Sequence, residues 1–116
     1  MSTYDKAHKL AKELKESDEY TEYMEKRKAV LSDENAKNML LDYQKKEQKL
    51  QSKHIAGEEL SEKEKEDFEN LRNLIQMNDK IKGYLEAEQR LSVMLNDIQK
   101  ILFGDLEFGI NNKESK

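Results

Sequence analysis

Apolar residues recur at helical spacing along most of the chain, and the longest such line runs from Asn78 to Phe103. Ile81, Leu85, Leu91, Leu95, Ile98 and Leu102 fall three, four or six residues apart, as on one helix face. Tyr84, Met94 and Ile101 widen the line into a stripe that other surfaces must cover. The remaining elements supply shorter lines. Helix one, about Thr3 to Lys15, carries Tyr4, Ala7, Leu10, Ala11 and Leu14. Ser17 reads as an N-cap, with Asp18 and Glu19 at the positive end of the next helix dipole. Helix two, about Asp18 to Leu31, turns Tyr20, Tyr23, Met24, Val30 and Leu31 inward, with Arg27 on the same line.

Ser32 reads as the cap of helix three, which runs to about Ile55. Its face starts strongly with Ala36, Met39, Leu40 and Tyr43. It then weakens, because Glu47 falls at an inward position and Leu50 stands nearly alone. Gly57 suits the position after the helix, where positive φ is needed. Ser61 with Glu64 forms a capping box that opens helix four, with Phe68, Leu71, Leu74 and Ile75 inward. Between Gln76 and Asp79 a kink or short break is expected, with Asn78 as the cap of helix five. Gly104 ends that helix. Leu106, Phe108 and Ile110 follow as a docking or contact segment, and the last residues are expected to be disordered.

The fold class is therefore all-α, with about five helices. Helices three and four are expected to form a long antiparallel hairpin whose polar tip projects from the core. A long C-terminal helix completes a helical-bundle dimer. Residues 1–103 read as one helical domain and 104–116 as a tail. A faint repeat at an offset of 61 aligns Asp18 with Asp79, Tyr23 with Tyr84 and Glu25 with Glu86. Duplication would produce it, and so would the shared grammar of two capped amphipathic helices.

Composition narrows the function classes. The chain has 116 residues, 40% of them charged and 35% hydrophobic, with no Pro and four Gly. Good helix formers dominate, and the periodicity of the apolar residues argues against disorder. So small a chain has a modest core, so an apolar face is expected to drive oligomerisation, a dimer first. The net charge of −4 argues against a nucleic-acid binder of the usual basic kind. The absence of Cys removes disulfides, thiolate metal sites and Cys nucleophiles. No run is long and apolar enough to span a membrane, and the N-terminus lacks the apolar core of a signal peptide. A cytoplasmic location follows as the default expectation.

No constellation carries catalytic chemistry. His8 and His54 lack the partners a catalytic or metal-binding imidazole needs. The acidic run Glu58 to Glu69 is interleaved with Lys63 and Lys65, as expected for a solvated helix start. No cofactor, metal site or small-molecule substrate is expected. Lys45, Lys46, Lys49 and Lys53 run toward the hairpin tip and are candidates for contact with a partner. An RNA-associated role would use them, but Glu47 interrupts the row and no aromatic platform accompanies it. A metal-dependent enzyme using carboxylates is a further alternative. The leading expectation is a non-enzymatic adaptor that binds other proteins, with Tyr84, Leu91, Leu95, Ile98, Leu102 and Phe103 as its oligomer interface.

From Leu31 to Leu102 the chain resembles the YheA/YlbF/YmcA family of small helical proteins of Gram-positive bacteria. The resemblance rests on the Ser-Asp start of helix three, the LDYQKKEQKLQ run and the single-Gly loop at Gly57. Above all it rests on the block Asn78, Ile81, Tyr84, Leu85, Ala87, Glu88, Leu91. The nearest branch is YheA. The resemblance implies an all-α, cytoplasmic, self-associating and non-enzymatic protein. It also implies kinship with subunits of a complex that influences competence, sporulation, biofilm formation and messenger-RNA processing with an endoribonuclease. Relatives in that complex are associated with Cys-ligated iron–sulfur clusters, which this Cys-free chain cannot hold by thiolate ligation.

Overall fold

The structure, a computed structural model, describes residues 2–109. The expectations for Ile110 and for a disordered C-terminus lie outside the described residues. The five elements are α1 (Thr3–Glu16), α2 (Asp18–Leu31), α3 (Glu34–Ile55), α4 (Glu62–Gln76) and α5 (Asp79–Phe103).

Local chemistry sets nearly every boundary. The Ser17 hydroxyl accepts from the Tyr20 amide and starts α2 in the extended conformation of an N-cap. The Ser61–Glu64 capping box closes in both directions, each bond 3.1 Å. After α3, Gly57 takes φ +74°. The Glu58 amide then reaches the Lys53 carbonyl and the Gly57 amide the His54 carbonyl, which is the Schellman pattern. The Asn78 side chain accepts from the Ile81 amide, so α4 and α5 are separate helices with Met77 and Asn78 between them.

One cap differs from expectation. The cap of α3 is Asp33, whose carboxylate accepts from the Ala36 amide at 3.1 Å. Ser32 instead closes α2 in the αR conformation. Asp33 has the advantage of charge, since it also receives Lys80 of α5 at 3.1 Å. The Ala36 amide first, then Lys80, hold the Asp33 carboxyl below its ordinary range. At the start of the chain Ser2 and Asp5 form a further capping box.

The most extensive helix pairing is α2 against α5. The two run antiparallel: Glu22 meets Arg90, Tyr23 meets Tyr84, and Lys26 passes Gly83. α3 and α4 touch where Tyr43 stacks on Phe68, centroids 5.5 Å apart, and where Lys53 reaches Glu64. That expected long hairpin thus carries less of the packing than α2 and α5 do. The core is Val30, Ala36, Leu40, Leu71, Ile75, Ile81 and Tyr84, with Tyr23, Met39, Tyr43 and Leu85 packed on it. α1 contributes no buried residue, although its apolar line is continuous.

The outline is thin and open. The extents are 52 × 40 × 16 Å and the radius of gyration is 19.3 Å, where a compact domain of this length would have about 13 Å. The fold is flat, its short dimension less than half of either other. The accessible surface of 9,680 Å² exceeds the roughly 6,600 Å² expected of a folded monomer of this mass.

Candidate interaction surface

Helix α5 divides along its length. Its first half is internal. Ile81, Tyr84 and Ala87 are buried, and the Tyr84 hydroxyl lies 3.4 Å from that of Tyr23 and donates to Glu88 at 3.2 Å. Burial first, then the Tyr23 contact and the Glu88 charge, push the Tyr84 phenol up from its ordinary value. Tyr84 is therefore a core residue within the single chain, which corrects its place among the interface candidates. The physical reason is the antiparallel crossing of α2, which lays Tyr23 across it with ring centroids 5.5 Å apart. The two tyrosines aligned by the faint repeat thus lie against each other, their rings tilted by 38°. Their helices are capped 61 residues apart by Ser17 and Asn78.

The second half of α5 runs past the end of α2. Leu91, Met94 and Ile98 are half-buried, with Glu19 beside Met94 and Ile98 in a shallow groove. Leu95 is 42% exposed, and Leu102 and Phe103 are each 50% exposed. Val93 and Ile101 are also exposed, and so are Leu106 and Phe108 just beyond the helix. Leu95, Ile98 and Leu102 thus share one apolar face on this helix end, with Val93 and Phe103 displaced round the helix.

The lysine row toward the α3–α4 tip has a different environment. Lys46 pairs with Asp42 at 2.8 Å, Lys49 with Glu64 at 3.3 Å and Lys53 with Glu64 at 2.7 Å. Lys45 is exposed. Three of the four candidate contact residues therefore have their charge matched within the chain. The hydrogen bonds from Lys53 first, then from the Ser61 amide, hold the Glu64 carboxyl at about 2. Because the folded value lies below the ordinary 4.5, the contribution of this clamp is complete above about pH 4.5 and is lost as pH falls toward 2. A carbon-detected NMR titration should place the Glu64 midpoint near 2 in the parent chain and return it toward the ordinary range in Lys53→Ala. An ordinary midpoint in the parent would mean that the clamp does not form in solution.

Nothing here assembles into a reaction centre. Among the described residues no group of three or more His, Asp or Glu side chains could hold a metal ion. His8 and His54 are both exposed. The pocket between α3 and α4, lined by Leu50, Leu60 and Phe68, has a volume near 110 Å³, whereas ligand pockets span about 300–1,000 Å³. The wider hollows are open grooves between helices. Among the described residues no helix is long and apolar enough to cross a membrane.

Comparison with known proteins agrees with the helical layout. The family profile described as "Control of competence regulator ComK, YlbF/YmcA" matches residues 3–107. A UPF0342 protein of Halothermothrix orenii is 54% identical over 114 residues, covering 98% of this chain and 97% of its own. A UPF0342 protein of Alkalihalophilus pseudofirmus is 36% identical over 115 residues, covering 99% and 98%. A solved structure from Bacillus stearothermophilus, titled a protein of unknown function (DUF964), superposes with a TM-score of 0.76 at 22% identity. That superposition covers 89% of this chain and 90% of that one, a likeness of fold.

Proposed function

We propose that this chain, which belongs to the YlbF/YmcA family, works without catalysis as a regulatory adaptor: a homodimeric helical module that presents surfaces to other proteins. The family's description is regulatory, naming control of the competence regulator ComK, and the reading extends that kind of role to this chain. One observation carries it. The distal half of α5 exposes Leu95, Leu102 and Phe103 on a flat, open fold. The surplus of roughly 3,000 Å² over a compact monomer is ample for the roughly 1,000–2,500 Å² per chain that obligate dimers bury.

In this reading Leu91, Leu95, Ile98, Leu102 and Phe103 form the seam between two copies. Residues 1–103 act as one helical unit and 104–116 as an appended tail. The α3–α4 tip, held by Lys53 and Glu64, stands clear as an arm for a partner. The ion pairs of Lys46, Lys49 and Lys53 favour a protein partner over RNA there, because a matched cation releases few counterions from a phosphate backbone. Capture of the tagged full-length chain from its native host at endogenous level tests the adaptor role. Stoichiometric recovery of a different protein, lost when the α3–α4 tip is altered, is expected. Recovery of the chain alone would contradict it.

A further inference from the structure

Helix α2 carries a second apolar line that α5 does not cover. Tyr20, Met24 and Leu31 stand at helical spacing, with Arg27 between them, and the line lies round the helix from Tyr23 and Val30, which face the core. Met24 and Leu31 are exposed. A groove between Lys15 of α1 and this line is floored by Tyr20, Met24 and Leu31. A second groove shares Arg27 and Leu31 and continues to Leu41 of α3, which is also exposed. From Tyr20 to Leu31 the floor runs about 16 Å at the helical rise, room for three turns of a docked helix.

The rim of this trough is basic. Lys15, Arg27 and Lys28 line the first groove and Lys37 the second, against a single acid, Glu25. None of these four cations is in an ion pair among the described residues, whereas Lys46, Lys49, Lys53, Lys65, Lys80 and Arg90 all are. In a chain of net charge −4, unmatched cations gathered round an apolar floor select for an opposite charge. We infer that this trough docks an acidic amphipathic helix of a partner protein. Apolar side chains at i, i+4 and i+11 of that helix, about 16 Å end to end, seat on Tyr20, Met24 and Leu31, and its flanking carboxylates meet Lys15, Arg27, Lys28 and Lys37. This surface lies apart from the distal half of α5, so the inference does not depend on the dimer.

The probe is a fluorescein-labelled peptide of about 14 residues, roughly four turns, with Leu in a helical stripe and Glu on both flanks. Its controls are an isomer with Lys flanks and a scramble of the same composition. Fluorescence anisotropy of the full chain should show saturable, salt-sensitive binding of the Glu peptide only. Met24→Glu should abolish it. Reversing Arg27→Glu and Lys28→Glu together should weaken it by at least about tenfold, as for charge pairs across an interface, and transfer the preference to the Lys isomer. All these positions are exposed, and circular dichroism should be unchanged. Equal binding of the Glu and Lys isomers, or of the scramble, overturns the inference, as does failure of the parent chain to bind at all. A fall in particle mass on Met24→Glu would reassign the trough to a second copy. Tighter peptide binding after removal of residues 104–116 would reassign it to the chain's own Asp105–Phe108 segment.

Discussion

Ile81→Ala is expected to lower the stability of the folded chain by about 3 kcal/mol, within the roughly 2–5 kcal/mol range for emptying a buried Ile site. Ile81 is 0% exposed and one of the two largest fully buried side chains. It sits one turn into α5, at the helix start fixed by the Asn78 cap, within the core that includes Val30, Leu71 and Ile75. Truncation removes the transfer free energy of three carbons and leaves a cavity whose walls belong to several helices and cannot all move inward. Because the core is small, this loss is a large share of a total that for any domain is about 5–15 kcal/mol. Urea denaturation followed by circular dichroism measures it, at one fixed chain concentration because association contributes to stability. Met77→Ala, at a position 80% exposed, should change stability by less than about 0.5 kcal/mol. Equal effects of the two substitutions would mean that the core is not where the fold places it.

The second large effect concerns assembly. Leu95→Glu with Leu102→Glu should separate the copies while leaving each one helical. Both residues lie on the part of α5 beyond α2 and are about half exposed in the single chain, so neither substitution disturbs the internal core. In a dimer each would place a carboxylate in an apolar seam. An unpaired buried charge at the centre of an interface costs at least about 3 kcal/mol, which is more than a hundredfold in Kd. The particle mass should fall to that of one chain while the helical circular dichroism signal persists. An unchanged mass would place the seam elsewhere; the exposed apolar line of α1, including Tyr4, is the next surface to alter.

Much of the fold was legible because it is written in local chemistry. Ser17, Ser61 and Asn78 cap helices through bonds to residues three positions on, and Gly57 supplies the one positive φ that the α3 terminus requires. These signals are short-range and need no knowledge of what packs on what. Where they competed, reading failed: Ser32 and Asp33 are both good caps, and Lys80, distant in sequence, tips the choice to Asp33. Periodicity showed which positions share a helix face but not which face meets a partner. Tyr20, Met24 and Leu31 read as inward along with Tyr23 and Val30, yet only the latter two face α5. Tyr84 read with the interface candidates because the width of the α5 stripe does not reveal that α2 covers its first half and leaves the second bare. The α1 line had the spacing of a buried face, yet within the chain it is only half-buried, at Leu10 and Leu14. The faint repeat aligns two tyrosines that lie against each other where α2 and α5 cross, a contact that the alignment itself does not predict. The candidate surface was legible in part: Leu91, Leu95, Ile98, Leu102 and Phe103 lie together on α5, while the paired state of Lys46, Lys49 and Lys53 depends on Glu64 and Asp42 taking positions that only the folded chain defines.

The central claim is that the chain is half of an assembly closed through the distal half of α5. Size-exclusion chromatography with light scattering on the full chain at tens of micromolar tests it most directly. The account predicts a particle of twice the chain mass of 13.7 kDa. A folded particle of 13.7 kDa at that concentration, helical by circular dichroism, would contradict it.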